Sequence, residues 1–218
     1  MVLLNDVMIK QLVEKDPTFI QPFEGRKVSD GELPSWGLEP HGYTFRLAPQ
    51  ILYYPSPFSL YPTSQWGRGL HSYEISPEPY LIDLEIGEHF CLPPFATLLC
   101  SSMETFRLPS NIVGLLVGKS TYTRQGLSYH MTVVDAGYEG VITFTVTNLN
   151  PCMEIKVYAG AGVGQIMFVQ SAPAEVAYHE SDALRKLKES MHKIVNLHGG
   201  EETLQGQEID TQLLELEG

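Results

Sequence analysis

The chain has 218 residues, enough for one sizeable all-β domain or two small domains, and a single domain is the better expectation. Its 43% hydrophobic and 18% charged residues are ordinary for a folding chain and exclude wholesale disorder. The 26 acids against 14 bases leave a formal charge of −12, which disfavours non-specific attraction to nucleic acid or an anionic membrane. A phosphorylated small molecule stays open, because a local group of Lys, Arg and backbone N–H donors holds phosphates whatever the net charge.

The opening MVLLNDVMIKQLVEKD carries Asp6, Lys10, Glu14 and Lys15 and lacks the basic start and unbroken apolar core of a signal peptide. Asn5 or Asp6 caps a predicted short helix with Val7, Ile9, Leu12 and Val13 as its apolar positions, ending near Asp16-Pro17. No run approaches the roughly 20 apolar residues of a membrane span. Cys91, Cys100 and Cys152 form no CxxC and leave an odd thiol, so buried thiols in a reducing, cytoplasmic setting are expected.

Residues 17 to 80 hold most of the prolines and many aromatics with little helical period, and read as short strands and loops. Tyr53, Tyr54, Phe58 and Tyr61 are expected to pack rather than to stack on bases, given the negative charge. From Tyr80 onward, apolar runs broken by Gly and Pro (FRLPSNIVGLLVG, LSYHMTVVD, GVITFTVTN, MEIKVYAGAGVGQIMFV) predict strands with no helices between them. The expected class is mainly β, a distorted antiparallel barrel or jelly roll. Leu184, Leu187, Met191 and Ile194 then recur at helical spacing, predicting an amphipathic helix over 181–197, with an acidic, loose tail behind it.

The segment ETFRLPSNIVGLLVGKSTYTRQGL concentrates phosphate-type donors: Lys119, the hydroxyls of Ser120 and Thr121, and the Arg124 guanidinium. It lacks the earlier glycine of a P-loop, and a polar loop after a strand is the plain alternative. A few residues on, VVDAGYEGVITFTVTN predicts strand, tight turn and strand; Asp135 is either a turn residue or an acid placed for a ligand. His41, His71 and His89 have no spacing with Cys or a second His that suits zinc, and His130 reads as a core or interface histidine.

The order of LLNDVMIKQLVEKDPTFIQPFE, LEPHGYTFRLAP, METFRLPSNIVGLLVGKSTYTRQGL, VVDAGYEG and YAGAGVGQIMF resembles the trimeric deoxycytidine triphosphate deaminase and deoxyuridine triphosphatase superfamily, nearest to the deaminase branch. The resemblance implies a domain over residues 1–178, followed by the helix and acidic tail at 179–218. It implies a homotrimer with shared active sites, a deoxynucleoside triphosphate as ligand and magnesium carried by that triphosphate, without zinc. Lys119, Ser120, Thr121 and Arg124 would meet the triphosphate and reacting site from a neighbouring subunit. Asp135 would meet the deoxyribose and, in the phosphatase branch, deprotonate water. Tyr138 would lie against the sugar, the backbone of Thr143, Phe144 and Thr145 would read the pyrimidine, and Gln165 and Tyr178 would approach the phosphates.

Three departures qualify the match. Thr145 stands where the deaminases carry the glutamate that moves protons, and a hydroxyl is no general base near neutral pH. Thr44 stands where the early strand usually has aspartate. The stretch from Arg124 to Asp135 is about two residues short of the family pattern, and the family's C-terminal lid is not evident after Tyr178. Three functions are compatible with these residues: zinc-independent deamination of dCTP or a modified dCTP, a nucleotide diphosphatase using Asp135 as base, and a non-catalytic trimeric nucleotide-binding relative.

Overall fold

The computed structural model describes residues 1–29, 31, 33–54, 79–174 and 178. Asn5 Oδ1 accepts the Met8 N–H at 3.0 Å and caps helix α1 (Asp6–Lys15), as its sequence signal predicts. Ile9 is buried and Leu12 and Val13 pack on the core, whereas Val7, expected on the apolar face, is exposed. The expected helix over 181–197 and the acidic tail lie outside the described residues.

The strands are β1 (Val2–Leu3), β2 (Ile20–Gln21), β3 (Lys27–Val28), β4 (Trp36–Glu39), β5 (Gly42–Arg46), β6 (Gln50–Tyr54), β7 (Tyr80–Asp83) and β8 (His89–Leu92). After them come β9 (Thr97–Arg107), β10 (Ile112–Gly118), the single-turn helix α2 (Ser120–Thr123), β11 (Leu127–His130), β12 (Val133–Val134), β13 (Glu139–Asn148), β14 (Ile155–Tyr158) and β15 (Gly162–Gln170). One sheet runs β12-β10-β15-β5-β4-β3 with β1 on β15; a second runs β11-β13-β9-β6-β7 with β2 on β9; β14 and β8 form a ribbon. The described pairings are antiparallel, so the mainly β, antiparallel architecture holds.

The alternation seen in the sequence becomes the core. Ile142, Phe144, Val146 and Asn148 of β13 point inward, as do Leu98, Cys100, Ser102, Glu104 and Phe106 of β9. Phe45 of β5 meets Phe106 and Phe144 edge-on, with ring centres 6.4 and 5.6 Å away, so the two sheets close on one apolar interior. The inward polar side chains of β9 and β13 are hydrogen-bonded. Asn148 Nδ2 donates to the Leu92 and Met153 carbonyls at 2.9 Å each. Ser102 Oγ takes the Ile142 N–H at 2.9 Å and donates to the Glu104 carbonyl, filling the irregularity where β13 slips against β9 between Val141 and Thr143. Of the three free thiols only Cys100 is fully buried; Cys91 is half-buried and Cys152 exposed.

Candidate functional site

The donor segment owes its shape to the packing of Gly118 and Tyr122. A Cβ on Gly118 would lie 2.3 Å from the Tyr129 ring, so the glycine before Lys119 is a packing requirement that lets the ring of β11 lie flat on β10. Four residues on, Tyr122 is buried and its hydroxyl accepts the Tyr158 N–H at 3.4 Å. With Tyr122 as the inward anchor of α2, Ser120, Thr121 and Arg124 are left exposed. Among the described residues the Arg124 guanidinium has no hydrogen-bond or ion-pair partner, which leaves its fork of donors available.

Lys119 does not extend into solvent. Its Nζ donates to Ser35 Oγ at 3.3 Å, and burial pulls its pKa below the usual lysine range, opposed by the charge of Glu39 and assisted by that of Lys27. Glu39 accepts a hydrogen bond from Thr44 Oγ1 at 3.3 Å and pairs with Lys27 at 2.9 Å. A carboxylate from β4 therefore faces Thr44. Ladder register builds this group: Val117, Gln165, Thr44, Gly37 and Lys27 lie in one row across β10, β15, β5, β4 and β3, and so on one face. Gly37, at φ +96°, leaves the gap in that row, since a Cβ there would lie 2.2 Å from the Arg26 carbonyl. Gln165 is fixed beside it by donating to the His41 carbonyl at 3.0 Å.

Asp135 opens a turn closed by its own backbone: its carbonyl accepts the Tyr138 N–H at 3.1 Å, and Gly137 supplies φ +83°. The Asp135 carboxylate is exposed and, among the described residues, takes part in no hydrogen bond or ion pair, so the turn does not depend on it. Two backbone bonds tie the turn to Leu108, and Tyr138 donates its hydroxyl to the Val141 carbonyl, which holds the ring over Gly140. On β13, Thr143 is exposed and Thr145 half-buried, while the Phe144 side chain belongs to the core. Tyr178 opens the second unit of the chain, Tyr178–Gly218, whose other residues lie outside the described ones.

The expected site residues thus fall in two places. Val134 stands opposite Gly114, and α2 follows Gly118, so Asp135 and Ser120 flank opposite ends of β10. The four steps from Gly114 to Gly118 alone cover about 13 Å at the usual rise of a strand. Sequence reasoning missed Lys27, Ser35 and Glu39. No local pattern marks them, because only strand register brings them to Lys119.

This two-sheet arrangement is also the fold of a solved deoxycytidine triphosphate deaminase. The solved structure of 2′-deoxycytidine 5′-triphosphate deaminase from Agrobacterium tumefaciens superposes with a TM-score of 0.53 at 18% identity, covering 86% of this chain and 52% of that one. The present chain spans about half of that chain's length, and the likeness is one of fold. The family model for dCTP deaminase-like domains matches residues 3–171, and the chain belongs to that family. Its relatives include the dCTP deaminase of Gemmatimonas aurantiaca, 31% identical over 167 residues (76% of this chain and 84% of the relative). That of Methylacidiphilum infernorum is 30% identical over 182 residues, 81% of this chain and 89% of the relative.

Proposed function

We propose that this protein binds a pyrimidine deoxynucleoside triphosphate and deaminates dCTP, or a dCTP modified on its base, without zinc. The observation that carries the reading is the outward display of Ser120, Thr121 and Arg124 by the buried Tyr122 anchor, with Lys119 beside them. Hydroxyls, a guanidinium and an ammonium form the donor set that a triphosphate needs. Asp135 and Tyr138 bind the deoxyribose, the backbone of Thr143, Phe144 and Thr145 reads the base edge, and Gln165 and Tyr178 complete the phosphate side. The strand length between Asp135 and Ser120 supports shared sites: sugar contacts from one protomer meet the catalytic loop of another in a homotrimer.

Magnesium fits this donor set as the companion of the nucleotide. The hard cation would be held by triphosphate oxygens and water, because clustered anionic oxygens suit magnesium. It supplies neutralisation of phosphate charge. Three cysteines without CxxC spacing support a reducing, cytoplasmic setting.

A second reading draws on the exposed Asp135 carboxylate, which has no partner among the described residues, as the group that activates water for a nucleotide diphosphatase. Incubation with dCTP and with dUTP plus magnesium, followed by chromatography of the products, separates the two. Ammonia with the triphosphate retained marks the deaminase and pyrophosphate marks the diphosphatase; nucleotide binding with neither product marks a non-catalytic relative. Thr145→Glu restores a carboxylate to the strand and is expected to raise ammonia release. If wild type is inactive on dCTP and this variant brings no gain, the deaminase reading fails.

A further inference from the structure

Deamination needs a group that takes a proton from water and hands it on, and Thr145 cannot do so. We infer that His130 is that group, a catalytic residue acting from the neighbouring strand in place of an acid at position 145. The inference rests on the deamination reading above.

His130 and Thr145 are direct ladder partners in β11 and β13. Directly opposed residues of an antiparallel pair project to the same face, with Cβ atoms about 4.5–5.5 Å apart. That face is turned away from the core, since Phe144 and Val146 on either side of Thr145 are buried, while Thr145 is half-buried and His130 exposed. An acidic chain at 145 and an imidazole at 130 therefore serve the same space above the sheet. The ladder row continues through Leu99, Leu52 and Leu81, so His130 is its one titratable side chain. Its Nε2 lies 3.4 Å from Thr147 Oγ1, which is 2.8 Å from Thr97 Oγ1, and this hydroxyl pair flanks the ring without supplying another base.

The chemistry balances with one imidazole and one water. The water oxygen bonds to C4 of the cytosine as His130 takes one of its protons. The C4–N3 π pair moves onto N3, and the imidazolium delivers that proton there. In the second stage the imidazole takes the proton of the new C4 hydroxyl. The carbonyl forms, the C4–amine bond breaks, and the imidazolium protonates the leaving amine. Ammonia departs and uracil keeps the proton on N3. An imidazole suits both directions because its two forms are close in energy near neutral pH.

The test measures dCTP binding by calorimetry and ammonia release for wild type, His130→Gln and His130→Asn. His130 is exposed, so the variants are expected to fold. The expected result is a fall in ammonia release of about 10²-fold or more with dCTP binding nearly unchanged, and partial recovery of turnover when free imidazole is added. Adding Thr145→Glu to His130→Gln is also expected to restore turnover. Wild-type turnover in both His130 variants, or a loss explained by weaker binding and insensitive to imidazole, overturns the role while leaving the deamination reading intact. Wild-type protein that binds dCTP and releases no ammonia overturns the role of His130, and the deamination reading falls with it if Thr145→Glu brings no gain.

Discussion

Glu104 grips Arg46 twice across the interior: its Oε1 lies 2.7 Å from Arg46 Nε, and its Oε2 accepts the Arg46 backbone N–H at 2.9 Å. The Glu104 side chain has no exposed surface, whereas Arg46 keeps 21% of its own. Burial raises the Glu104 pKa above the usual carboxylate range, against the lowering pull of Arg46. Removing the cation should therefore hurt more than neutralising the anion. Arg46→Met is expected to cost about 3–5 kcal/mol in urea unfolding, and Glu104→Gln less. In Arg46→Met the folded-state pKa stands further above the unfolded value. The carboxyl then contributes stability at low pH that is lost as pH rises through the folded pKa, so this variant should gain stability relative to wild type on acidification from neutral pH. Equal costs for the two variants would show that the pair is not the reason for either.

Gly118 touches the Tyr129 ring where any Cβ would overlap it. Gly118→Ala is expected to destabilise the fold by about 1–3 kcal/mol through overpacking. It should also weaken nucleotide binding, because Lys119 and α2 begin at that point. Unchanged stability in a thermal melt would mean that the ring moves aside freely.

Asp135→Asn separates the two meanings of an Asp before Ala-Gly. The turn is held by backbone atoms and the carboxylate is exposed, so stability should stay within about 0.5 kcal/mol of wild type. Nucleotide turnover is expected to fall sharply, and under the diphosphatase reading pyrophosphate release should vanish while binding persists. A large drop in the unfolding midpoint would identify Asp135 as a structural turn residue instead.

Lys119 titrates below the usual lysine range because it is partly buried, and Glu39 opposes that shift while Lys27 adds to it. A depressed pKa means that the ammonium is lost at lower pH than in a free lysine. Triphosphate affinity should therefore decline on the alkaline side before the usual lysine range is reached. Glu39→Gln removes a negative charge that keeps the proton on and should move the decline to lower pH; Lys27→Met should move it to higher pH. Titrations of nucleotide affinity against pH for the three proteins check the order, and coincident curves would exclude Glu39 and Lys27 from any influence on Lys119.

Neighbours a few positions apart along the chain encode part of this protein directly. The Asn5 cap and the apolar spacing behind it specify α1, alternation specifies β9 and β13, and Asp-Ala-Gly specifies the turn at 135, because each depends on residues a few positions apart. The order of the motifs likewise marked the family. The tertiary structure alone decided what surrounds each site residue. Lys119 meets Ser35, 84 residues away, through the register of β10, β15, β5, β4 and β3. Tyr129 gives Gly118 its reason, and the pairing of β11 with β13 sets His130 beside Thr145. Strand partners and their register are chosen by long-range burial rather than local spacing, so a histidine expected in the core or an interface is found exposed and becomes a candidate base only once its cross-strand neighbour is known.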